Sequence, residues 1–374
     1  MIRVAHLIHT MAYGGIETGL LHWVRTMDAS RFEVHLFCFA NPGGTEAPFI
    51  EAAERQGFPV ERIPWSRRKP VFRAARLMAR HVRALGIDIL HCHNTYAQLT
   101  ALATGRLTGV RTITTLYLWG DFGWKRNVLQ WADRLSAPFL DCISVHCERT
   151  FADSVERGLA ADRLVRLPCG FDGSRAELTA EERRLRRAEL GAAEGDTALI
   201  YVARFWPEKA HAGLLEGFRR IAERRGGVRL WLAGSGPEEE RIRALADRLG
   251  LSDRVRFLGY RRDVPELLAA ADLQVHPSDL EGVAQAVCEG MLAGLPIVAT
   301  AVGGLTEVLH DGQTAVLVPP RRPDLLAEAV LLLMDDPVRA RALGEAAHRF
   351  ITQEYSLAAS TARVEAVYEG MMAG

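Results

Sequence analysis

The chain has 374 residues, its 46 lysines and arginines balance 46 aspartates and glutamates, and its isoelectric point is near 7.2. That length suits two α/β domains with ample cores, and the even charge balance excludes a global field that would draw the chain to nucleic acid, leaving only local basic patches as electrostatic handles. Six cysteines without a C-x-x-C spacing, mostly within apolar runs, predict reduced thiols, no disulfide and no zinc site. The chain opens directly in a strand without signal-peptide organisation, and no apolar run is long enough to span a membrane, so the expected location is cytoplasmic.

Residues 2–9 read as a first strand, and Gly14-Gly15-Ile16-Glu17-Thr18 leads into an apolar helix through Leu20, Leu21 and Val24. A strand, glycine turn and helix in that order let backbone approach a phosphate closely, although an ordinary tight turn gives the same pattern. Strands at 33–39 and 87–91 continue a doubly wound alternation. From Arg62 to Ile87 there is no acid, while Arg73, Arg76, Arg80 and Arg83 alternate with Leu77, Met78 and Val82. This predicts a basic amphipathic helix, either a plain surface helix or one that docks on anionic lipid or an anionic acceptor. His91-Cys92-His93-Asn94 ends a strand, where packing and hydrogen bonding are the ordinary role of histidine. Beyond the strand 113–118, Trp119, Phe122, Trp124 and Trp131 are interleaved with Lys125 and Arg126. Such a mixture suits stacking on a sugar or a lipid interface, with core packing the plain alternative for Trp131. Residues 164–168 close the first domain, and a polar linker over 173–196 carries the capping box Thr179-x-x-Glu182.

The second domain opens with strand 198–203, then Arg204 and, five positions on, Lys209, one of only three lysines. Two cations at that spacing after a strand can converge on a diphosphate. Strand 229–233 runs into Gly234-Ser235-Gly236-Pro237 and a helix over 238–249, and strand 255–258 ends at Gly259-Tyr260. The densest stretch is 276–307. Pro277, Ser278 and Asp279 end strand 273–275, and small and apolar residues at helical spacing predict a helix opening at Glu281-Gly282. A buried strand over 296–302 follows, and Gly303-Gly304 opens the next helix. Two helix N-termini at the carboxyl edge of a parallel sheet favour an anion such as a diphosphate. Glu281 and Glu289, eight apart, are too far round to form a close acid pair and are better placed to hold separate hydroxyls. There is neither an Asp-x-Asp nor a His/Cys ligand cluster, so no metal is expected.

Glu281-x7-Glu289 followed by M-x-x-G-x-P-I-V-A-T-x-V-G-G over 291–304 resembles the donor-site signature of the GT4-type retaining glycosyltransferases with the GT-B fold. The resemblance implies an α/β chain of two Rossmann-like parallel-sheet domains facing a central cleft. The first spans 1–172 on the acceptor side, the second spans 173–354 on the donor side, and a terminal helix over 355–374 crosses back. It implies metal-independent transfer, with retention, from a nucleotide-diphosphate sugar, expected to be a UDP-sugar, to a sugar, lipid-linked or small-molecule acceptor, as in polysaccharide or glycoconjugate biosynthesis. In the family, Glu281 would contact the donor sugar, Glu289 the ribose, and Arg204 and Lys209 the diphosphate. Gly14, Gly15, Gly234, Tyr260, Gly282, Gly303 and Gly304 would line the donor, and Glu17, His93, Tyr117 and Trp119 the acceptor side. This chain departs from the pattern in places: Tyr117 stands where the family has histidine, Ala203 and Ala210 replace the glycines flanking the Arg/Lys motif, and Cys169 replaces the asparagine of an N-G-x-D turn ending at Asp172. A GT-B sugar-nucleotide epimerase is the alternative enzyme, and those departures keep open a non-catalytic nucleotide-sugar sensor or partner subunit. Reversible contact with an anionic inner-membrane surface is a further expectation.

Overall fold

The computed structural model describes residues 1–10, 13–120, 123–174 and 176–373, with Lys125 and Arg126 described by backbone alone. Phe122 lies outside the described residues. The chain divides into two compact units, Met1–Phe171 with Tyr355–Gly374, and Asp172–Glu354.

In the first unit the chain alternates β1 (Ile2–Ile8), α1 (Gly15–Thr26), β2 (Phe32–Ala40), α2 (Ala47–Glu54), β3 (Val60–Pro64), α3 (Val71–Leu85), β4 (Ile89–His93), α4 (Thr95–Thr108), β5 (Arg111–Leu116), α5 (Trp124–Ser136), β6 (Cys142–Val145), α6 (Glu148–Glu156) and β7 (Leu164–Arg166). The strands form a parallel sheet in the order β3-β2-β1-β4-β5-β6-β7. Central strands such as β1 and β4 are buried almost throughout, because helices cover both faces of a parallel sheet and leave no strand face for water. The acid-free stretch is not one helix. Arg62 lies on β3, and the helix begins only at Val71, after a turn in which Lys69 has φ 52°. The order reverses between β1 and β4, the switch point at which open sheets of this kind receive ligands.

The second unit runs through α7 (Ala180–Glu189), β8 (Thr197–Val202), α8 (His211–Arg224), β9 (Val228–Ala233), α9 (Glu239–Arg248), β10 (Val255–Gly259), α10 (Val264–Ala270), β11 (Leu273–His276), α11 (Gln285–Ala293), β12 (Ile297–Thr300), α12 (Leu305–Val308), β13 (Val316–Val318), α13 (Pro323–Asp335) and α14 (Pro337–Glu354). Its parallel sheet has the order β10-β9-β8-β11-β12-β13, with the switch point between β8 and β11. α7 starts at the Thr179 capping box, whose hydroxyl accepts from the Glu182 amide. Arg183 and Arg187 of α7 both pair with Asp272, so the segment 173–196 is pinned to the unit rather than a free linker.

α15 (Leu357–Ala373) completes the first unit. Val364 and Tyr368 enter the core beside Trp23 and Ile89, Trp23 Nε1 donates to Ser360 Oγ at 2.9 Å, and Arg31 pairs with Glu365 at 3.1 Å.

Candidate active site

In the second unit the carboxyl ends of β8 and β11 meet at the switch point. Just beyond β8 the chain turns through a single 3-10 turn, Pro207–Lys209, and leaves through Ala210 in the left-handed region at φ 50°. The family's glycine at that place costs nothing in this conformation, whereas alanine carries its Cβ against the preceding carbonyl. The turn is fastened from below. The Tyr201 hydroxyl donates to the Lys209 carbonyl at 2.8 Å and lies 3.0 Å from Ser278 Oγ, and the Asp279 amide donates to the Glu208 carbonyl at 2.9 Å. Lys209 and the loop after β11 are thereby held together before any side chain of theirs meets.

Lys209 Nζ donates to Glu281 Oε1 at 2.6 Å, and His276 Nε2 approaches the same oxygen at 2.8 Å. Glu281 is buried, and burial alone would push its carboxyl up. The Lys209 ammonium and the bond from His276 outweigh that and hold it well below the usual carboxylate range. The site therefore contains a fixed carboxylate and a fixed cation, with Lys209 retaining further N–H donors. Arg204 is exposed, its guanidinium 5.9 Å from the centre of the Trp206 ring.

Glu289 sits within α11, half-buried. Burial raises its carboxyl to about 7, while a hydrogen bond from Gln285 Nε2 at 3.2 Å pulls the other way. The two glutamates thus differ in protonation at neutral pH, one a held anion and the other near its midpoint. Gly303 has φ 51°, and a Cβ there would collide with the Glu281 carbonyl, so this glycine is what lets the two loops touch. Gly234 and Tyr260 stand at the ends of β9 and β10, and the Gly234 amide donates to the Gly259 carbonyl at 2.7 Å. Tyr260 is exposed, and Gly282 lies in the loop beside Glu281.

Two expectations are corrected here. α11 begins at Gln285 rather than at Glu281-Gly282, because 277–284 forms a loop that folds Glu281 back onto Lys209 and His276. The helix after Gly303-Gly304 is a single turn of four residues, and the Gly304 amide is spent on the Glu281 carbonyl at 3.2 Å. One of the two helix N-termini thus has its first amide taken by the neighbouring loop, and the fixed charges at this edge are those of Lys209 and Glu281. His276, Ser278 and Tyr201 were missed as site residues. Their only sequence signal was position, at strand ends ahead of Lys209 and Glu281. A pocket of about 300 Å³ also lies beside the Lys209 turn, lined by Trp206, Pro207, His211, Asp279, Arg321 and Pro323.

In the first unit, Gly14 precedes α1 and its amide donates to Glu17 Oε2 at 3.0 Å, so Glu17 is buried and caps its own helix; Gly15 is exposed. His93 Nδ1 meets the Tyr117 hydroxyl at 2.7 Å, and its Nε2 meets His6 Nδ1 at 3.1 Å. His91 joins Tyr368 at 2.7 Å and Thr115 at 2.6 Å. The ring nitrogens of His6, His91 and His93 come close enough together to suggest a metal site. Each is engaged in a hydrogen bond and the rings stack or tilt against one another, which the packing of neutral buried imidazoles explains. Burial holds His6 at about 3, His146 at about 4, and His91 and His93 well below the ordinary value. Burial also raises the Tyr117 phenol well above its ordinary value, so it serves as a neutral hydroxyl. Trp119 is buried in a core with Leu116, Ile143 and Val145, and its Nε1 donates to Ser154 Oγ at 2.7 Å, which leaves its indole in the core. Trp131, for which the core was the plain alternative, is 59% exposed.

Comparison with known proteins bears on what this geometry is for. A family model described as "Glycosyl transferase 4-like domain" matches residues 14–170, and one described as "Glycosyl transferases group 1" matches 182–350. The putative glycosyltransferase EpsD of Bacillus subtilis is 26% identical over 333 residues, 86% of this chain and 84% of its own length. A GDP-mannose-dependent alpha-(1-6)-phosphatidylinositol monomannoside mannosyltransferase of Mycobacterium tuberculosis is 29% identical over 363 residues, 91% of each chain. Among solved structures, Anabaena HepE in complex with UDP and glucose superposes with a TM-score of 0.87 at 20% identity, covering 99% of this chain and 100% of its own. Matched in both halves and built on two parallel-sheet units, the chain belongs to the GT4-type family of GT-B glycosyltransferases.

Proposed function

We propose that the chain transfers a hexosyl group from a UDP-sugar to an acceptor hydroxyl with retention of configuration and without a metal ion. The observation that carries this reading is the Lys209–Glu281–His276 cluster at the β8/β11 switch point, with Arg204 exposed at the mouth of the same turn. Transfer breaks the bond between the anomeric carbon and the β-phosphate oxygen, and negative charge grows on the departing diphosphate. Arg204 and the remaining Lys209 donors neutralise it, the task a divalent cation performs elsewhere. Glu281, kept ionised by its neighbours, accepts from donor-sugar hydroxyls. Glu289 holds the ribose, and Gly234, Tyr260, Gly282, Gly303 and Gly304 line the nucleotide. The acceptor hydroxyl attacks the same face and passes its proton to the leaving phosphate oxygen.

Of the first unit, Gly14 and Gly15 are assigned to the donor, and Glu17, His93 and Tyr117 to the acceptor. The neutral Tyr117 hydroxyl, tied to His93, would orient a hydroxyl and not remove a proton from it. The structural likeness to HepE supports the donor class, since HepE was solved with UDP and with UDP-glucose. The acceptor is a sugar, a lipid-linked sugar or a small molecule. The protein works in the cytoplasm with reversible contact at the inner-membrane surface, in keeping with the exposed arginines of α3. A thermal-shift screen of nucleotide sugars tests the donor, because a ligand that binds only the native state raises Tm. UDP release with candidate acceptors tests transfer. No shift with any UDP-sugar overturns the donor assignment.

A further inference from the structure

α5 carries the most unusual surface of the first unit. Trp124, Val128, Trp131 and Leu135 are 59% to 74% exposed, and Phe139 just beyond the helix is 63% exposed. At 100° per residue these four helical positions fall within a strip about 60° wide and about 16 Å long, running along the helix axis. Large apolar side chains aligned in one exposed strip are uncommon on a soluble surface and mark a contact.

The charges around the strip say what the contact is with. α4 packs between α3 and α5, so the three helices lie side by side. Together they contain eight cations, Arg73, Arg76, Arg80, Arg83, Arg106, Lys125, Arg126 and Arg134, and one acid, Asp133. Asp133 sits opposite the strip on the helical wheel, with its Oδ2 accepting from Thr95 Oγ1 of α4 at 2.8 Å. Arg134 lies 5.2 Å from the centre of the Trp131 ring and Arg106 5.9 Å from that of Phe139, so cations border the apolar strip directly. Two copies meeting through this face would oppose their arginines, which argues against a self-dimer. Tryptophan and aliphatic side chains along one line, flanked by arginine, match the two layers of a bilayer surface, acyl chain beneath and anionic headgroup above. Among the described residues no helix is long and apolar enough to cross a membrane, so the contact is one in which the helix lies in the interface plane.

We infer that α5 docks the protein on an anionic lipid bilayer by burying the Trp124–Val128–Trp131–Leu135 strip in the interface, with Arg134 and the arginines of α3 and α4 on the headgroups. This deepens the membrane contact proposed above and moves its anchor from α3 to α5. α3 contributes salt-sensitive attraction, and α5 contributes the apolar hold that salt does not remove.

Co-sedimentation of the full chain tests this with vesicles of phosphatidylcholine alone and of phosphatidylcholine with phosphatidylglycerol. The wild type is expected to bind the anionic vesicles and to bind neutral ones far more weakly. Trp124→Ser with Trp131→Ser should lower affinity tenfold or more at both low and high salt. Arg73→Gln with Arg76→Gln and Arg80→Gln should lower it at low salt and flatten the salt dependence. Brominated acyl chains should quench wild-type tryptophan fluorescence more than that of the Trp124→Ser, Trp131→Ser variant. Failure of the wild type to bind anionic vesicles at low salt overturns the inference, as does unchanged binding by the tryptophan variant or equal binding to neutral vesicles. A concentration-dependent dimer that the tryptophan variant abolishes also overturns it, in favour of a protein interface. The thermal shift with UDP-glucose, run on every variant, reports on the donor reading separately: its absence in the wild type counts against the donor, and its retention in a variant that no longer binds vesicles shows the chain is folded.

Discussion

Replacing Lys209 by alanine should damage stability as well as activity, which separates it from its partner in the proposed clamp, Arg204. The Lys209 and Glu281 side chains are 16% and 6% exposed. Removing one member of a buried ion pair strands the other and costs about 3–5 kcal/mol. Glu289 shows what a buried carboxyl without a cation does here, since burial lifts it to about 7; Glu281 without Lys209 should move in the same direction. In the wild type the Glu281 carboxyl is depressed, so its stabilisation is complete above the ordinary carboxylate value and fades as pH falls below it. The deficit of Lys209→Ala should therefore be largest at neutral pH and shrink in acid, as the stranded Glu281 takes up a proton. Lys209→Met with Glu281→Gln removes both charges and should recover most of the loss. Arg204→Ala, at an exposed site, should leave unfolding unchanged. Lys209→Ala and Arg204→Ala should each slow UDP release with a working acceptor by about a hundredfold, the usual effect of losing one donor to the developing charge. Urea unfolding at pH 7 and pH 5 on the four proteins, with UDP-release rates, reads every term. A Lys209→Ala protein within about 0.5 kcal/mol of wild type at pH 7, a change typical of ordinary surface sites, would show that the pair carries no net stabilisation and refute the reasoning.

The buried histidines make the first unit acid-sensitive. His6, His91, His93 and His146 are neutral when folded and would protonate in the unfolded chain below about pH 6.5, so stability should fall as pH drops from about 6.5 towards 4, by about 1.4 kcal/mol per unit for each histidine; calorimetry across that range should show this unit melting first. Trp119→Ala should cost about 3–5 kcal/mol in unfolding, as loss of a core aromatic does, and an effect confined to the acceptor KM would contradict its burial. Ala210→Gly should relieve the left-handed turn and gain about 1 kcal/mol by chemical denaturation; a loss would mean that glycine's entropy outweighs the strain. Chelation with EDTA should leave the transfer rate nearly unchanged, and strict dependence on magnesium or manganese would overturn the role given to Arg204 and Lys209.

Much was legible in the chain itself. Alternating apolar runs and glycine turns specify two parallel sheets, because strands covered on both faces must be apolar throughout and their turns must admit backbone conformations that side chains resist. The capping box at Thr179, the turn at Gly14 and the stretch from Pro296 to Gly304 follow from such local rules. Short elements such as β3 and β13 did not stand out, since three to five residues carry too little periodicity to separate from loop.

What only tertiary structure decided is which polar groups meet. Sequence spacing put Glu281 at a helix start, but 72 residues separate it from Lys209, and the contact exists because β8 and β11 are neighbours in the sheet while distant in the chain. His276 gained its place the same way, and Gly303 became indispensable only once the Glu281 carbonyl lay against it. The tryptophans show the converse. The sequence placed Trp119 on the acceptor side and gave Trp131, twelve positions on, the core as its plain alternative. The fold buries one beside Ser154 and leaves the other on the outer strip of α5, because burial depends on what packs above a residue, and local sequence does not encode that.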